Sequence, residues 1–245
     1  MDQLFNTKDY TTLELILFAG GCYLWVIAYA VYIVNIYKKR CVDMAIFAGA
    51  GNIAWEFVWS WCLPTTDMGL VLVWAYRIWF FFDLYIFAGL VRYGVKQITT
   101  PALRPIFKPM SIITAIAMTV LFYFFKEQGF DTPIGANSAF ILQLFISVLC
   151  LTMILRKPPG VYFSYPVAWL RSIGTGTNVI FMFLHYPQNY MLETLAALAL
   201  LMDITYVTVF YLRRRANRNW NIENLNAPDP LATPKPLAEA ILATA

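Results

Sequence analysis

Apolar residues occur along this chain in long blocks, separated by short polar and charged runs. A helix rises about 1.5 Å per residue, so about 20 apolar residues cross the hydrocarbon core of a bilayer. Spans of this length fit at residues 13–37, 43–63, 69–93, 109–125, 136–155, 162–184 and 190–212. The pattern predicts an all-α, polytopic membrane protein with seven transmembrane helices.

The composition agrees with this interpretation, because 60% of the residues are hydrophobic and only 13% are charged. Those fractions lie far from the averages of soluble domains. We expect one seven-helix transmembrane domain over residues 1–218. Residues 219–245 form a cytoplasmic tail in this interpretation, and its prolines and weak apolar pattern predict disorder or weak helicity.

The orientation follows from the positions of lysine and arginine, since short basic loops stay on the cytoplasmic side of a membrane. Most of the 18 Lys and Arg residues lie after the first, third, fifth and seventh predicted helices. The N-terminus is therefore predicted to be outside or lumenal, and the C-terminus cytoplasmic. The net charge of +4 reports this topology and does not indicate a nucleic-acid partner.

A faint internal repeat relates the two halves of the chain. Residues 52–57 begin with Asn and end with Phe, as do residues 178–183, and each run is followed by a proline. The spans after these runs carry Asp83 and Asp203 in similar apolar settings. The pattern suggests a parallel repeat of three helices, one connecting helix and three helices, and such repeats hold their site between the halves.

Five ionisable residues lie well inside the predicted spans. A charged side chain in hydrocarbon is costly, so each is a functional-site hypothesis. They are Glu56, Arg77, Asp83, Arg171 and Asp203.

The segment 52–59 carries the densest chemical signal. Asn52 and Glu56 are four residues apart, so they share a helix face and the amide is expected to orient the carboxyl group. Trp55 and Trp59 form a second such pair. A carboxyl group in an apolar pocket favours its protonated form, and neighbouring aromatic rings stabilise positive charge. This combination suits chemistry that generates carbocations.

Each of these residues also has a structural interpretation. Glu56 could make a hydrogen bond between helices, and an arginine could simply neutralise Asp83. The tryptophans of these spans could form a belt at the membrane interface. Those tryptophans are Trp55, Trp59, Trp61, Trp74 and Trp79.

Two polar contacts stay open at the level of sequence. Arg171 could meet Asp203 or Asp83 across the bundle. Tyr206 lies about one turn from Asp203, where its phenol could donate a hydrogen bond to the carboxyl group or face a cation.

The Asn-x-x-Trp-Glu-Phe segment, the acid in the last span and the seven-span layout over about residues 10–215 resemble one known family. It comprises the small integral-membrane terpene cyclases of fungal meroterpenoid and indole-diterpene pathways, which also have bacterial relatives. The resemblance implies that Glu56 and Asp203 are the catalytic acids. It implies a lipophilic substrate, a prenylated aromatic compound or indole, whose terminal epoxide or alkene is protonated. The candidate supporting residues are Asn52, Trp55, Trp59, Arg77, Trp79, Asp83 and Tyr206.

We expect no cofactor and no metal, because the chain lacks the Asp-rich DDxxD or NDxxD run that binds Mg²⁺ around a diphosphate. The DxDD run of soluble protonating cyclases is also absent. The expected partners are the substrate and membrane lipid. A proton-coupled transporter with two three-helix repeats is the alternative function, whereas a retinal protein is excluded because the last span lacks a lysine.

Overall fold

The structure is a computed structural model that describes residues 4–64, 66–156 and 162–216. Within these ranges the chain is entirely helical, which confirms the all-α prediction. The seven α-helices are α1 (Thr12–Lys39), α2 (Ile46–Phe57), α3 (Leu70–Tyr93), α4 (Arg104–Glu127), α5 (Ala136–Arg156), α6 (Tyr165–His185) and α7 (Tyr190–Ala216). The predicted tail at 219–245 lies outside the described residues.

Six of the seven helices are long and apolar enough to cross a membrane. The exception is α2, which has 12 residues and continues as a five-residue π-helix, Val58–Cys62. The sequence predicts a membrane span over 43–63 here, and the structure divides it into these two elements. Because α2 is buried on nearly all sides, it needs no lipid-facing stripe. The π-helix at its end is of a kind that occurs often at functional sites.

The fourth helix begins at Arg104, five residues before the predicted span. Pro105 stands in its first turn, where the missing N–H is not needed for a helical hydrogen bond. Pro109 lies inside the helix without ending it. The sequence prediction placed the start too late because it followed apolar content alone.

The helices pack in the same order in both halves of the chain. The third helix of each half contacts the first and the second, so α3 packs against α1 and α2, and α7 packs against α5 and α6. The central helix α2 also packs against α4 and α5, while α1 packs against α6. This shared order supports the predicted parallel repeat.

The close packing of α1 against α6 depends on small residues. A Cβ atom on Gly174 would lie 2.9 Å from the carbonyl oxygen of Gly21, which is closer than such atoms approach in proteins. Small residues at helix interfaces of this kind let transmembrane backbones approach closely. The contact brings side chains of α1 and α6 together in the bundle interior.

Candidate active site

A cavity of about 160 Å³ lies in the bundle interior, where side chains of α1, α2, α3, α5 and α6 converge. Ile134, in the loop before α5, also lines the cavity near the start of that helix. Its polar lining consists of Cys22, Tyr29, Asn52, Glu56, Gln143 and Asn178 along with the aromatic rings described below. Asn52 and Asn178, which the sequence repeat relates, both face this space.

The candidate acid Glu56 lies at the cavity wall. The side chain is buried, and its Oε2 atom has no hydrogen-bond partner within the described part of the chain. A buried carboxyl oxygen without a partner is rare in proteins and calls for an explanation. The interpretation of Glu56 as a hydrogen bond between helices is therefore not supported, and its carboxyl group is available to a molecule in the cavity.

Aromatic rings surround this carboxyl group. Trp55 and Trp79 line the cavity and are 6% and 9% exposed, whereas Trp61 and Trp74 are 44% and 59% exposed. The exposed pair is compatible with the belt interpretation, whereas the buried pair is not. Tyr76 joins the wall, with its ring perpendicular to that of Trp55 at a centroid distance of 5.1 Å.

Trp59, the second member of the predicted pair, does not line the cavity. It stacks on Trp55 at a centroid distance of 5.6 Å, and the Lys126 ammonium lies 3.4 Å from its ring centroid. Trp59 therefore supports the ring of Trp55 from behind.

A chain of polar groups orients Trp55. Its indole N–H donates to the hydroxyl of Ser138 at 2.8 Å, and that hydroxyl donates to the carboxylate of Asp131. Burial raises the pKa of Asp131, against hydrogen bonds from the Ser138 hydroxyl and nearby backbone N–H groups. The loop before α5 thus holds one wall of the cavity in place.

Asn52 does not orient Glu56, which corrects the expectation from their spacing. Its amide donates to the Tyr29 hydroxyl at 3.3 Å, and that hydroxyl donates to Oδ2 of Asp83 at 3.3 Å. The Tyr29 side chain of α1 reaches this face of α2 because both helices pack against α3. Asp83 itself is buried behind Tyr29 and is not part of the cavity lining.

Asp203 likewise lies outside the cavity, in the interface of α5, α6 and α7. It forms an ion pair with Arg171 at 2.6 Å, and both side chains are fully buried. This contact decides between the two partners that the sequence allowed for Arg171. The guanidinium also lies 5.1 Å from the ring centroid of Tyr206, so this phenol faces a cation.

Gln143 connects Asp203 to the cavity. Its amide nitrogen lies 3.2 Å from each of three acceptors, Oδ2 of Asp203, the Ser147 hydroxyl and the Thr175 hydroxyl, which share its two N–H donors, and its side chain lines the cavity wall. The sequence analysis missed this residue because it considered only ionisable groups. An amide well inside the apolar span 136–155 was the available signal.

Arg77 lies away from the cavity. Its Nε atom donates to the Ser60 carbonyl at 3.3 Å, and its guanidinium packs over the rings of Trp61 and Trp74. Since Arg171 pairs with Asp203, neither intramembrane arginine neutralises Asp83. In the described ranges, no three His, Cys, Asp or Glu side chains converge as metal ligands.

Comparison with known proteins identifies a family whose model matches this chain. A family model for Pyr4-like transmembrane terpene cyclases matches residues 2–216. The Pyr4-family terpene cyclase mfmH of Annulohypoxylon moriforme is 24% identical over 204 residues, which cover 80% of this chain and 77% of that protein. The terpene cyclase spyD of Aspergillus fumigatus is 22% identical over 211 residues, covering 82% of this chain and 88% of that protein. No solved structure matches the chain. These findings favour the cyclase hypothesis over the transporter.

Proposed function

The chain belongs to the Pyr4-like transmembrane terpene cyclases, and from that membership we propose that it cyclises the prenyl chain of a prenylated aromatic compound or indole. It is an integral membrane enzyme, and its substrate is a lipophilic terpenoid. The proposal adds that protonation of a terminal epoxide, or of an alkene, starts the reaction. No diphosphate leaves in such a reaction, so the proposal requires no metal ion and no cofactor.

Glu56 is the proposed proton donor. Two observations carry this assignment: the Glu56 side chain lines the cavity, and its buried Oε2 atom has no hydrogen-bond partner among the described residues. An apolar environment favours the protonated acid, and a positioned acid of this kind is what general acid catalysis needs.

The proposed reaction balances without another reactant. The proton of Glu56 goes to the epoxide oxygen, the C–O bond breaks, and the neighbouring double bond attacks the carbon that becomes electron-deficient. Ring closure moves the positive charge along the chain, and loss of one proton from carbon forms the final double bond. The product is therefore an isomer of the substrate. That last proton restores the acid.

The aromatic wall is proposed to stabilise the intermediate cations. Trp55, Tyr76 and Trp79 present ring faces or edges to the cavity, and the negative face of an aromatic ring attracts a cation. The same apolar surface excludes water, which would otherwise trap the cation as an alcohol. Tyr29 of α1 and Asn52 of α2 add polar atoms to the lining.

Asp203 is proposed as the second essential acid, acting through Gln143. Its carboxylate holds one oxygen toward Arg171 and the other toward the Gln143 amide. Gln143 then presents its amide at the cavity in one orientation. This route gives Asp203 an influence on the reaction although its own side chain does not line the cavity.

The orientation in the membrane is also a proposal. The described Lys and Arg residues near helix ends cluster after α1, α3 and α7, including Lys38, Lys39 and Arg213–Arg215. Basic loops stay on the cytoplasmic side, which places the N-terminus outside or lumenal and the C-terminus in the cytoplasm. Glu56 then lies in the outer half of the bilayer.

The test uses membranes that carry the full chain, incubated with an epoxyfarnesyl or epoxygeranylgeranyl aromatic compound. Wild-type membranes should form a cyclised isomer of unchanged mass, and Glu56→Gln should abolish it. Glu127→Gln, a change of the same type at an exposed position at the end of α4, is the matched control and should retain activity. Full activity of Glu56→Gln at normal expression would overturn the assignment. Substrate transport across sealed vesicles without isomer formation would favour the transporter instead.

A further inference from the structure

A second cavity, which we call the α1/α3 groove, has a volume of about 410 Å³. It lies between α1 and α3, and apolar side chains make up nearly all of its lining. Leu15, Val26, Leu72 and Phe82 are typical members. The fold alone does not require such a groove, because the two helices already contact each other.

The α1/α3 groove adjoins the cavity that contains Glu56. Phe18, Cys22 and Trp79 line both spaces, so these three side chains form a common wall. One of them, Trp79, is an aromatic residue that lines the same cavity as the proposed proton donor. A molecule that passes this wall reaches Glu56 without leaving an apolar environment.

The two volumes indicate why the groove is needed. Small-molecule sites usually measure about 300–1,000 Å³, and the cavity of about 160 Å³ falls below this range. The proposed substrate is a prenyl chain with an attached aromatic group, and the cavity accommodates only the reacting end of that chain. Together with the groove of about 410 Å³, the space reaches the ordinary range for a complete ligand.

The N-terminal segment covers one end of the α1/α3 groove. The backbone N–H of Asn6 donates to the Met68 carbonyl at 3.0 Å, and the N–H of Val71 donates to the Leu4 carbonyl at 3.3 Å. Phe5 and Met68 contribute to the lining at this end. The hydrogen-bonded cover separates the groove from the polar loops, whereas exposed Ala19 and Ile78 stand at its rim on the side of the bundle.

We propose that the α1/α3 groove binds the part of the prenylated substrate that is farthest from its reacting end, and that the substrate enters the cavity sideways from the bilayer through this groove. The occupant is an apolar prenyl chain with its aromatic group. This inference rests on the proposed function, because it requires that the reacting end lie at Glu56. In this arrangement the groove and the cavity with Glu56 are two parts of one site, and the wall of Phe18, Cys22 and Trp79 lies between them.

The first experiment detects binding without turnover. Membranes that carry the full-length Glu56→Gln variant are exposed to a farnesyl benzophenone probe, irradiated, and analysed by mass spectrometry of the crosslinked peptides. Crosslinks should concentrate on residues 15–26 and 71–82, and an unlabelled farnesyl aromatic compound should suppress them. Crosslinks confined to other helices would overturn the proposal. Equal suppression by a palmitoyl compound would also overturn it, since the groove would then be an ordinary lipid contact.

The second experiment fills the groove. Ala75 lines the groove but not the cavity with Glu56, whereas Ala88 is an exposed residue on the same helix that does not line it. Ala75→Trp should reduce crosslinking and raise KM by about tenfold with a smaller change in kcat, the signature of lost uniform binding. Ala88→Trp should leave both unchanged. An unchanged KM and crosslink pattern in Ala75→Trp would refute the groove.

The outcomes separate the two proposals. If no membrane forms an isomer, the proposed function fails, while crosslinking in the groove still reports binding. If the isomer forms but the groove neither crosslinks nor responds to Ala75→Trp, the proposed function stands and the groove proposal fails.

Discussion

Replacing Asp203 with Asn should lower the stability of the protein and should also abolish its cyclase activity, and the two effects can be measured separately. The substitution removes a negative charge that lies 2.6 Å from the Arg171 guanidinium, in an interface where the two side chains are 0% and 2% exposed. Arg171 keeps its charge, since a guanidinium stays protonated in proteins. The variant therefore contains a buried cation without its counterion, whatever role Asp203 has in catalysis.

The expected loss of stability follows from this geometry. Removing one partner of a buried ion pair costs about 3–5 kcal/mol. For a chain of this size about 1 kcal/mol corresponds to roughly 2–4 °C, so Tm should fall by an amount on the order of 6–20 °C. Glu56→Gln should behave differently, because the Glu56 Oε2 atom has no partner in the described structure to lose. Its Tm should stay near that of the wild type.

The assay combines thermal unfolding in detergent with cyclase activity at a temperature where each variant is folded. The double variant Arg171→Met with Asp203→Leu removes both charges and replaces them with apolar side chains, so it should recover most of the lost Tm. Its activity should remain absent if Asp203 acts on the cavity through Gln143. Recovered activity would show that the acid has only a structural role. A Tm of Asp203→Asn close to that of the wild type, or a double variant no more stable than Asp203→Asn, would refute the ion-pair reasoning.

Three further changes test the surroundings of the site. Ser138→Ala leaves the buried indole N–H of Trp55 without an acceptor, which costs about 1–3 kcal/mol. We expect a lower Tm and more water-trapped alcohol among the products. An unchanged product profile would contradict the role of this contact. Burial raises the pKa of Asp43, in the loop between α1 and α2, to about 8. The unfolded carboxyl group is ionised above about pH 4, so wild-type stability should fall as the pH rises from about 4 to about 8 and then level off, whereas Asp43→Asn should show no such slope in Tm. Gly174→Ala forces backbone separation of α1 and α6 and should cost about 1–3 kcal/mol in unfolding experiments, while Gly176→Ala, with its nearest contact at 3.6 Å, should be neutral or stabilising. Equal effects of the two alanine substitutions would argue against the close helix contact.

The spans and their acids were predictable from the sequence alone. Hydrocarbon imposes the same requirement on every stretch of about 20 residues, so the seven helices follow from local apolar content. The same argument made Glu56, Asp83 and Asp203 visible as costly exceptions. The π-helical end of α2 and the early start of α4 did not follow from it, since apolar content does not record hydrogen-bond geometry or the tolerance of proline in a first turn.

The tertiary structure alone decided how the acids differ. Spacing correctly placed Asn52 and Glu56 on one helix face, but the partner of Asn52 is Tyr29 on α1, because a phenol from a neighbouring helix reaches that face. Equally, no local pattern distinguishes Asp203, paired with Arg171, from Glu56, which lines a cavity and has a buried oxygen without a partner among the described residues. Local physics determines which segments enter the membrane and which residues are costly there. The packing of helices that are distant in sequence determines which of those residues is paired with a cation and which lines a cavity.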